Sequence, residues 1–254
     1  MRLSEKVCVI TGAGSGIGRA MAIRFAKEGA LVVAGDWHAE RLSSAMAMIE
    51  ADGGSVAGLA GNIAERAAAE ALVNLASSTY GRLDVLVNNA GVMDYMQGVG
   101  ELDDEIWRRV LAINLDGPMY TSRCAIKQMR KHGAGSIINI ASIGGFEGGA
   151  AGAAYTVSKH GLLGLTKNTA WMYSKEGIRC NAICPGATAT NIGESMPADR
   201  IDPRGLERTT AFHALSPATL APSDIASLAL FLASDESRMI NGAVIAADAG
   251  WTAA

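Results

Sequence analysis

The sequence predicts an α/β fold: one doubly wound, mostly parallel sheet of about seven strands with helices on both faces. Three observations predict it. Short apolar runs alternate with amphipathic helical stretches from one end of the chain to the other. Several of those runs are almost wholly apolar, as strands covered on both faces are. The first run leads straight into a glycine-rich turn that opens a helix. A length of 254 residues suits a single α/β unit, so residues 1–254 read as one domain.

The elements follow in order. Val7-Cys8-Val9-Ile10 is a strand, followed by a helix from about Ile17 to Glu28 and a second strand at Leu31–Ala34. A helix near Ala39–Asp52 leads to a strand at Ser55–Ala60, a helix near Glu65–Tyr80 and a strand at Val85–Asn88. One long helix is expected across Asp103–Lys131, then the strand Gly135–Ala141 and a helix near Ala153–Ser174. The strand Arg179–Ile183, a helix at Pro222–Ala233 and a last strand at Ala243–Ala247 complete seven strands and six helices. Residues 187–222 hold four of the six prolines and little periodicity, and follow a strand end directly. They read as an irregular lid over a site.

Composition excludes several classes. The formal charge is −3 and no basic block occurs, so neither nucleic acid nor an anionic membrane is expected as a partner. No apolar stretch is long enough to span a bilayer and no signal-peptide pattern opens the chain, which points to a cytoplasmic protein. Cys8, Cys124, Cys180 and Cys184 lack paired spacing and read as reduced thiols. His38, His132, His160 and His213 are scattered, so no metal site is expected.

In a parallel α/β sheet, ligands bind at the carboxyl ends of the strands. Gly12, Asp36, Asn62, Asn88 and Ser142 each follow a predicted strand. Gly12, Gly16 and Gly18 lie between a strand and a helix, where backbone amides and a helix N-terminus can approach a pyrophosphate. Their Gly-x-x-x-Gly-x-Gly spacing alone would also allow a flavin, a nucleotide or a methyl donor. Asp36 ends the second strand, and its carboxylate can accept from ribose hydroxyls while repelling a ribose 2′-phosphate. No basic residue stands at Ser15 or Trp37 to offset that repulsion, which favours NAD(H) over NADP(H). Tyr155 and Lys159 stand four apart, on one face of a helix. There a lysine ammonium is expected to lower the phenol from its ordinary value near 10, and Ser142 could hold a substrate oxygen.

With these residues placed, the chain resembles the short-chain dehydrogenase/reductase family over its whole length. The resemblance rests on Thr11 to Gly18, Asn88-Asn89-Ala90-Gly91, Asn114, Ser142, Tyr155-x-x-x-Lys159 and Pro185-Gly186 with Thr190 following. It implies a Rossmann-type NAD-binding domain that interconverts a secondary alcohol and a ketone by hydride transfer. Tyr155 is implied as general acid/base, Ser142 as the group orienting the substrate oxygen, Lys159 as holder of the nicotinamide ribose, and Asn114 as support for a water chain to Lys159. The implied cofactor contacts are Gly12, Ser15, Gly16, Ile17, Gly18, Asp36, Trp37, Asn62, Ile63, Asn88, Ala90, Gly91, Tyr155, Lys159, Pro185, Gly186, Thr188 and Thr190. Asn62 stands where the family commonly has aspartate, and its amide oxygen could still accept from the adenine amino group. A homotetramer built partly on the helices containing Asp103–Lys131 and Ala153–Ser174 is implied as well.

The substrate wall is expected from Ser142 to Gly152, Met93 to Gln97, and the lid around Met196 and Phe212. It leaves open a sugar, a steroid-like ring, an acyl thioester or a small cyclic alcohol. A 3-oxoacyl-[acyl-carrier-protein] reductase is a second reading, for which Arg123, Lys127, Arg130 and Lys131 would form a basic patch. A non-catalytic NAD(H) sensor is a third, and it would need no proton donor such as Tyr155.

Overall fold

The computed structural model describes residues 1–253. Seven strands form one parallel sheet in the order β3-β2-β1-β4-β5-β6-β7. They are β1 (Val7–Thr11), β2 (Leu31–Asp36), β3 (Ser55–Ala60), β4 (Val85–Asn88), β5 (Gly135–Ile140), β6 (Ile178–Pro185) and β7 (Val244–Ala247). The helices are α1 (Gly16–Lys27), α2 (Ala39–Ala51), α3 (Arg66–Tyr80), α4 (Asp104–Leu111), α5 (Gly117–Met129), α6 (Ala153–Tyr173), α7 (Pro203–His213) and α8 (Pro222–Ala233).

The central strands look uniformly apolar, yet their side chains still alternate between two cores. Cys8, Ile10, Val32, Ala34, Val85, Val87, Ile138 and Ile140 pack with α1, α2 and α8, through Met21, Phe25, Leu42 and Leu230. Val7, Val9, Val33, Leu86 and Ile137 face the other way, onto Leu72 and Val73 of α3, Met129 of α5 and Ala170 of α6. Such double coverage leaves only the strand ends for chemistry. Strand order reverses between β1 and β4, both neighbours of which run outward, and this opens a crevice at their carboxyl ends.

Two expected elements differ. The helix expected across Asp103–Lys131 is interrupted by a π turn at Ala112–Asp116. Pro118 explains it: proline has no N–H to give the carbonyl four residues back, here that of Asn114, and its ring crowds that carbonyl. The wider turn absorbs the conflict. Segment 187–222 is also more regular than its composition suggests, because it contains α7 and two short 3-10 turns. Asp202 caps α7 by accepting from the Gly205 amide at 2.6 Å, and Pro203 takes the first helical turn.

A polar network lies between the sheet and α5. The Asn88 amide donates to Ser122 Oγ at 3.0 Å and to Asn139 Oδ1 at 2.9 Å, while its oxygen accepts from Thr121 Oγ1 at 2.6 Å. Asn139 in turn donates to Thr166 Oγ1 on α6 at 2.8 Å. Asn88 is only 2% exposed, so removing it strands several buried partners. Asn88→Ala is expected to lower unfolding free energy by about 2–3 kcal/mol, measured as a urea midpoint shift at unchanged slope.

Candidate active site

A cleft of about 1250 Å³ runs along the carboxyl edge of the sheet. It passes Asn62 and Asp36 beyond β3 and β2, then Gly12, Ala90, Ser142 and Tyr155, and ends at Trp251 beyond β7. The glycine loop forms its floor. Gly12 has φ +66°, and a Cβ added there would lie 2.8 Å from Asn89 Nδ2. A Cβ on Gly18 would lie 1.9 Å from the Gly12 carbonyl oxygen, so this glycine lets α1 pack against the loop. Ser15 makes no side-chain cap to α1, which leaves the helix's first amides free for an anion.

The loop is braced by Thr11 and Asn89, motif residues to which sequence reasoning assigned no role. Thr11 Oγ1 accepts from the amides of Asn89 at 2.9 Å and Ala90 at 3.0 Å, and Asn89 Nδ2 donates to the Thr11 carbonyl at 2.9 Å. Asp36 is 8% exposed and faces the cleft; its two oxygens accept from Gly14 N and His38 N, each at 2.9 Å. Beside it stands Arg41, whose guanidinium is engaged by Glu194 at 2.6 Å, with Asn191 donating to the other Glu194 oxygen at 2.6 Å. Trp37, 77% exposed, and the buried Ile63 also border this end of the cleft. Ser15, Gly16, Ile17, Gly91, Pro185, Gly186, Thr188 and Thr190 line the middle, with Thr190 packed against the Gly16 turn.

Some expected contacts are placed elsewhere. The Asn88 side chain belongs to the internal network, and neither it nor Gly18 borders the cleft. Asn62 borders the cleft, and its amide oxygen accepts from Ala64 N at 3.1 Å, closing a local turn. Phe212 stands behind the wall, stacked on Trp251 with centroids 4.9 Å apart, and the cleft meets Trp251 and His213.

Ser142, Tyr155 and Lys159 do converge at the centre of the cleft. Tyr155 is 6% exposed and Lys159 3%. Lys159 Nζ donates to the Ile140 carbonyl at 3.1 Å and lies 5.5 Å from the centre of the Tyr155 ring. A Cβ on Gly91 would be 3.3 Å from Asn114 Oδ1 and 3.5 Å from Lys159 Nζ, which places both polar groups around one glycine. Asn114 is fully buried in the π turn, off the cleft wall. It exchanges bonds of 2.9 Å with the Val92 amide and carbonyl and donates to Ser158 Oγ at 3.1 Å.

The electrostatics depart from the expectation of a lowered phenol. Burial pushes Tyr155 up to about 12, Asp94 and Cys184 push the same way, and the Ser142 hydrogen bond opposes them. Burial likewise brings Lys159 down to about 8. Desolvation outweighs the helical pairing because neither charge has water around it.

This arrangement is matched in known proteins. A family model described as "Enoyl-(Acyl carrier protein) reductase" fits residues 12–252. A protein of Talaromyces verruculosus named short-chain dehydrogenase/reductase cdmF is 38% identical over 263 residues, covering 98% of each chain. The chain is a short-chain dehydrogenase/reductase. This short-chain dehydrogenase/reductase is also 40% identical over 254 residues to 3beta-hydroxysteroid dehydrogenase 2 of Eggerthella lenta, covering 99% of its own length and 96% of the relative's. It shares 36% identity and a TM-score of 0.87 with a structure from Beutenbergia cavernae described as an NAD(P)-dependent gluconate 5-dehydrogenase with NADP bound at low occupancy, over 99% and 98% of the two chains. The enzyme thus uses a nicotinamide cofactor to interconvert a secondary alcohol and a ketone. Its glycine cradle, open helix terminus and Asp36 fit a dinucleotide.

Arg41 and Trp251 are site residues that sequence reasoning missed, while Thr11, Asn89 and Asp94 lay within its motifs and expected wall with no role of their own. The doubled Asn88-Asn89 was the one available signal, since the second asparagine has no strand-facing role to fill. Among the described residues no helix is long and apolar enough to cross a membrane and no metal-ligating cluster forms. The four cysteines are unpaired.

Lys159 supplies a pH test. Its folded value of about 8 lies below the ordinary 10.5, so between those values the unfolded chain holds a proton that the folded chain has released. Stability contributed by this group therefore rises with pH across that window and falls as pH drops through 8. Lys159→Met is expected to unfold at an equal or higher urea concentration at pH 7, with its advantage over wild type shrinking from pH 8 to 10.5.

Proposed function

We propose that the enzyme is NAD(H)-dependent and acts on a ring-bearing, largely apolar secondary alcohol or ketone, with hydroxysteroids as the first class to test. The observation that carries the reading is the buried Tyr155, flanked by Ser142 and Lys159, opening onto a wall of Met93, Tyr95, Met96, Ile143, Leu206 and Trp251. An apolar wall gains by burying a hydrocarbon surface and offers a sugar few partners. The name of the Eggerthella relative supports the same class. Asp36 supports NAD: a 2′-phosphate would meet its carboxylate, and the one cation beside it, Arg41, is held by Glu194.

A bound nicotinamide cofactor would supply or accept the hydride. Ser142 Oγ fixes the substrate oxygen and leaves its carbon open to that transfer. Tyr155 gives its proton to this oxygen in reduction and takes it back in oxidation, within a site dry enough to hold the proton in place. Lys159, charged at pH 7, would stabilise the phenolate as it forms and would hold the nicotinamide ribose of a bound cofactor. Asn114 fixes Val92 and, through Ser158, the Tyr155 carbonyl, which receives the Ser158 hydroxyl at 2.7 Å.

Residues 187–222 act in this reading as a substrate lid within the single NAD-binding domain 1–254, since Thr190, Ser195, Met196, Leu206 and His213 all border the cleft. The acyl-carrier reading is not favoured: Arg123 and Arg130 of its expected basic patch pair with Glu70 and Glu176, and no member of the patch borders the cleft. A sensor role leaves the buried Ser142–Tyr155–Lys159 set without a purpose. The assembly we propose is a cytoplasmic homotetramer, supported by the exposed Trp171 and Met172 on α6, at 81% and 58%.

Reduced cofactor formation across hydroxysteroids, cyclic alcohols, sugars and hydroxyacyl thioesters tests the reading, with NAD and NADP side by side. Tyr155→Phe is expected to lose at least about 100-fold in kcat while binding NADH as wild type does; retained turnover would remove Tyr155 from the chemistry. Asp36→Ala should shift the kcat/KM ratio toward NADP by about tenfold or more, the gain expected once a like charge within a few ångströms is gone. Trp171→Asp should yield smaller assemblies by light scattering.

A further inference from the structure

Asp94 is a carboxylate with no exposed surface and no cationic partner, in the loop that leaves β4. A buried charge of this kind is costly unless it is satisfied by hydrogen bonds. Here backbone amides satisfy it. Oδ1 accepts from Met96 N and Gly152 N, each at 3.1 Å, and Oδ2 accepts from Tyr155 N at 2.9 Å. The last two belong to the N-terminus of α6, where a negative charge also meets the positive end of the helix dipole.

The contacts join two parts of the cleft that the sheet does not connect. On one side is the start of the catalytic helix, including the backbone of Tyr155 itself. On the other is the wall segment 93–97, in which Met96 sits at φ +59°, a left-handed conformation that few non-glycine residues hold without support. The Ala153 amide adds a parallel tie to the Gln97 carbonyl at 2.8 Å. Gly152 is the residue this junction tolerates, because a Cβ there would lie 2.6 and 2.7 Å from the two Asp94 oxygens.

We propose that Asp94 is a positioning residue that locks the Tyr155 backbone and the substrate wall at 93–97 into one rigid unit. The inference rests on Tyr155 being the proton-transfer group. Its charge has a second consequence. The groups facing the phenol are Ser142 after β5, Cys184 on β6, Lys159 on α6 and Asp94; among these Asp94 and Cys184 hold the phenol protonated, the Ser142 hydrogen bond favours ionisation, and the nearby Lys159 ammonium would favour it too. Asp94 therefore trades a harder ionisation for a fixed geometry.

The test compares wild type, Asp94→Asn, Gly152→Ala and Tyr155→Phe. Asparagine keeps the volume but removes the charge and turns a carboxamide NH2 donor toward backbone N–H donors; alanine at 152 displaces the carboxylate without altering it. Phenolate ionisation is read by ultraviolet difference titration of the NADH complex against Tyr155→Phe, which needs no substrate. Asp94→Asn is expected to move the Tyr155 midpoint down by roughly one pH unit. With epiandrosterone and NAD, or whichever alcohol the panel identifies, both variants should lose roughly 10- to 100-fold in kcat, with NADH affinity within a factor of about three and a folded far-ultraviolet spectrum. An unmoved phenol midpoint with kcat within twofold of wild type would overturn the proposal, as would a kcat loss matched by an equal loss of NADH affinity. Activity retained in Tyr155→Phe would instead overturn the acid/base reading, which keeps the two failures distinct.

Discussion

Everything functional in this protein depends on one constraint: a parallel sheet buried on both faces can expose polar groups only at its edge of strand ends. Alternating side chains fill two hydrophobic cores, from Phe25 and Leu230 on one side to Met129 and Leu72 on the other. The strands are thereby fixed in register, and the loops leaving them are fixed with them. The glycine loop, Asp36 and Ser142 leave β1, β2 and β5, with Tyr155 following on α6, so their relative positions are set largely by the backbone pairing of the sheet.

The cost of a dry site is visible in its ionisation. Burial raises the Tyr155 phenol and lowers the Lys159 ammonium, so each group is pressed toward its neutral form. In the proposed reaction that pressure suits a proton donor. A neutral phenol in an apolar surround gives its proton only to an oxygen that is becoming negative, and a nearby lysine steadies the phenolate that results. Asp94 adds a buried negative charge to this balance, tolerable because three amide bonds and the helix terminus receive it.

Much of the fold was legible because its signals are local. The runs Val7–Ile10, Leu31–Ala34 and Val85–Asn88 announce buried strands by composition, and every predicted strand is present to within about two residues. The signal for α7 was also local, in Asp202-Pro203, but it sat within a proline-rich stretch that reads as irregular. The π turn was written in Asn114 and Pro118, four residues apart, and was masked by the strong helical pattern on either side. Proline conflict with a specific carbonyl is easily read only once the helix is known to continue through it.

By itself the sequence determined the alternation of strands and helices, the glycine loop and the spacing of Tyr155 and Lys159, because each depends on neighbours within a few residues. Tertiary structure alone decided which of those groups meet and in what environment. It turned Asn88 inward to a polar core network, brought Glu194 to Arg41 across 153 residues, and set Asp94 beneath a tyrosine 61 residues away. Desolvation is the deepest of these effects. A phenol beside a lysine reads in sequence as easily ionised, but once both are enclosed the loss of water outweighs the charge between them.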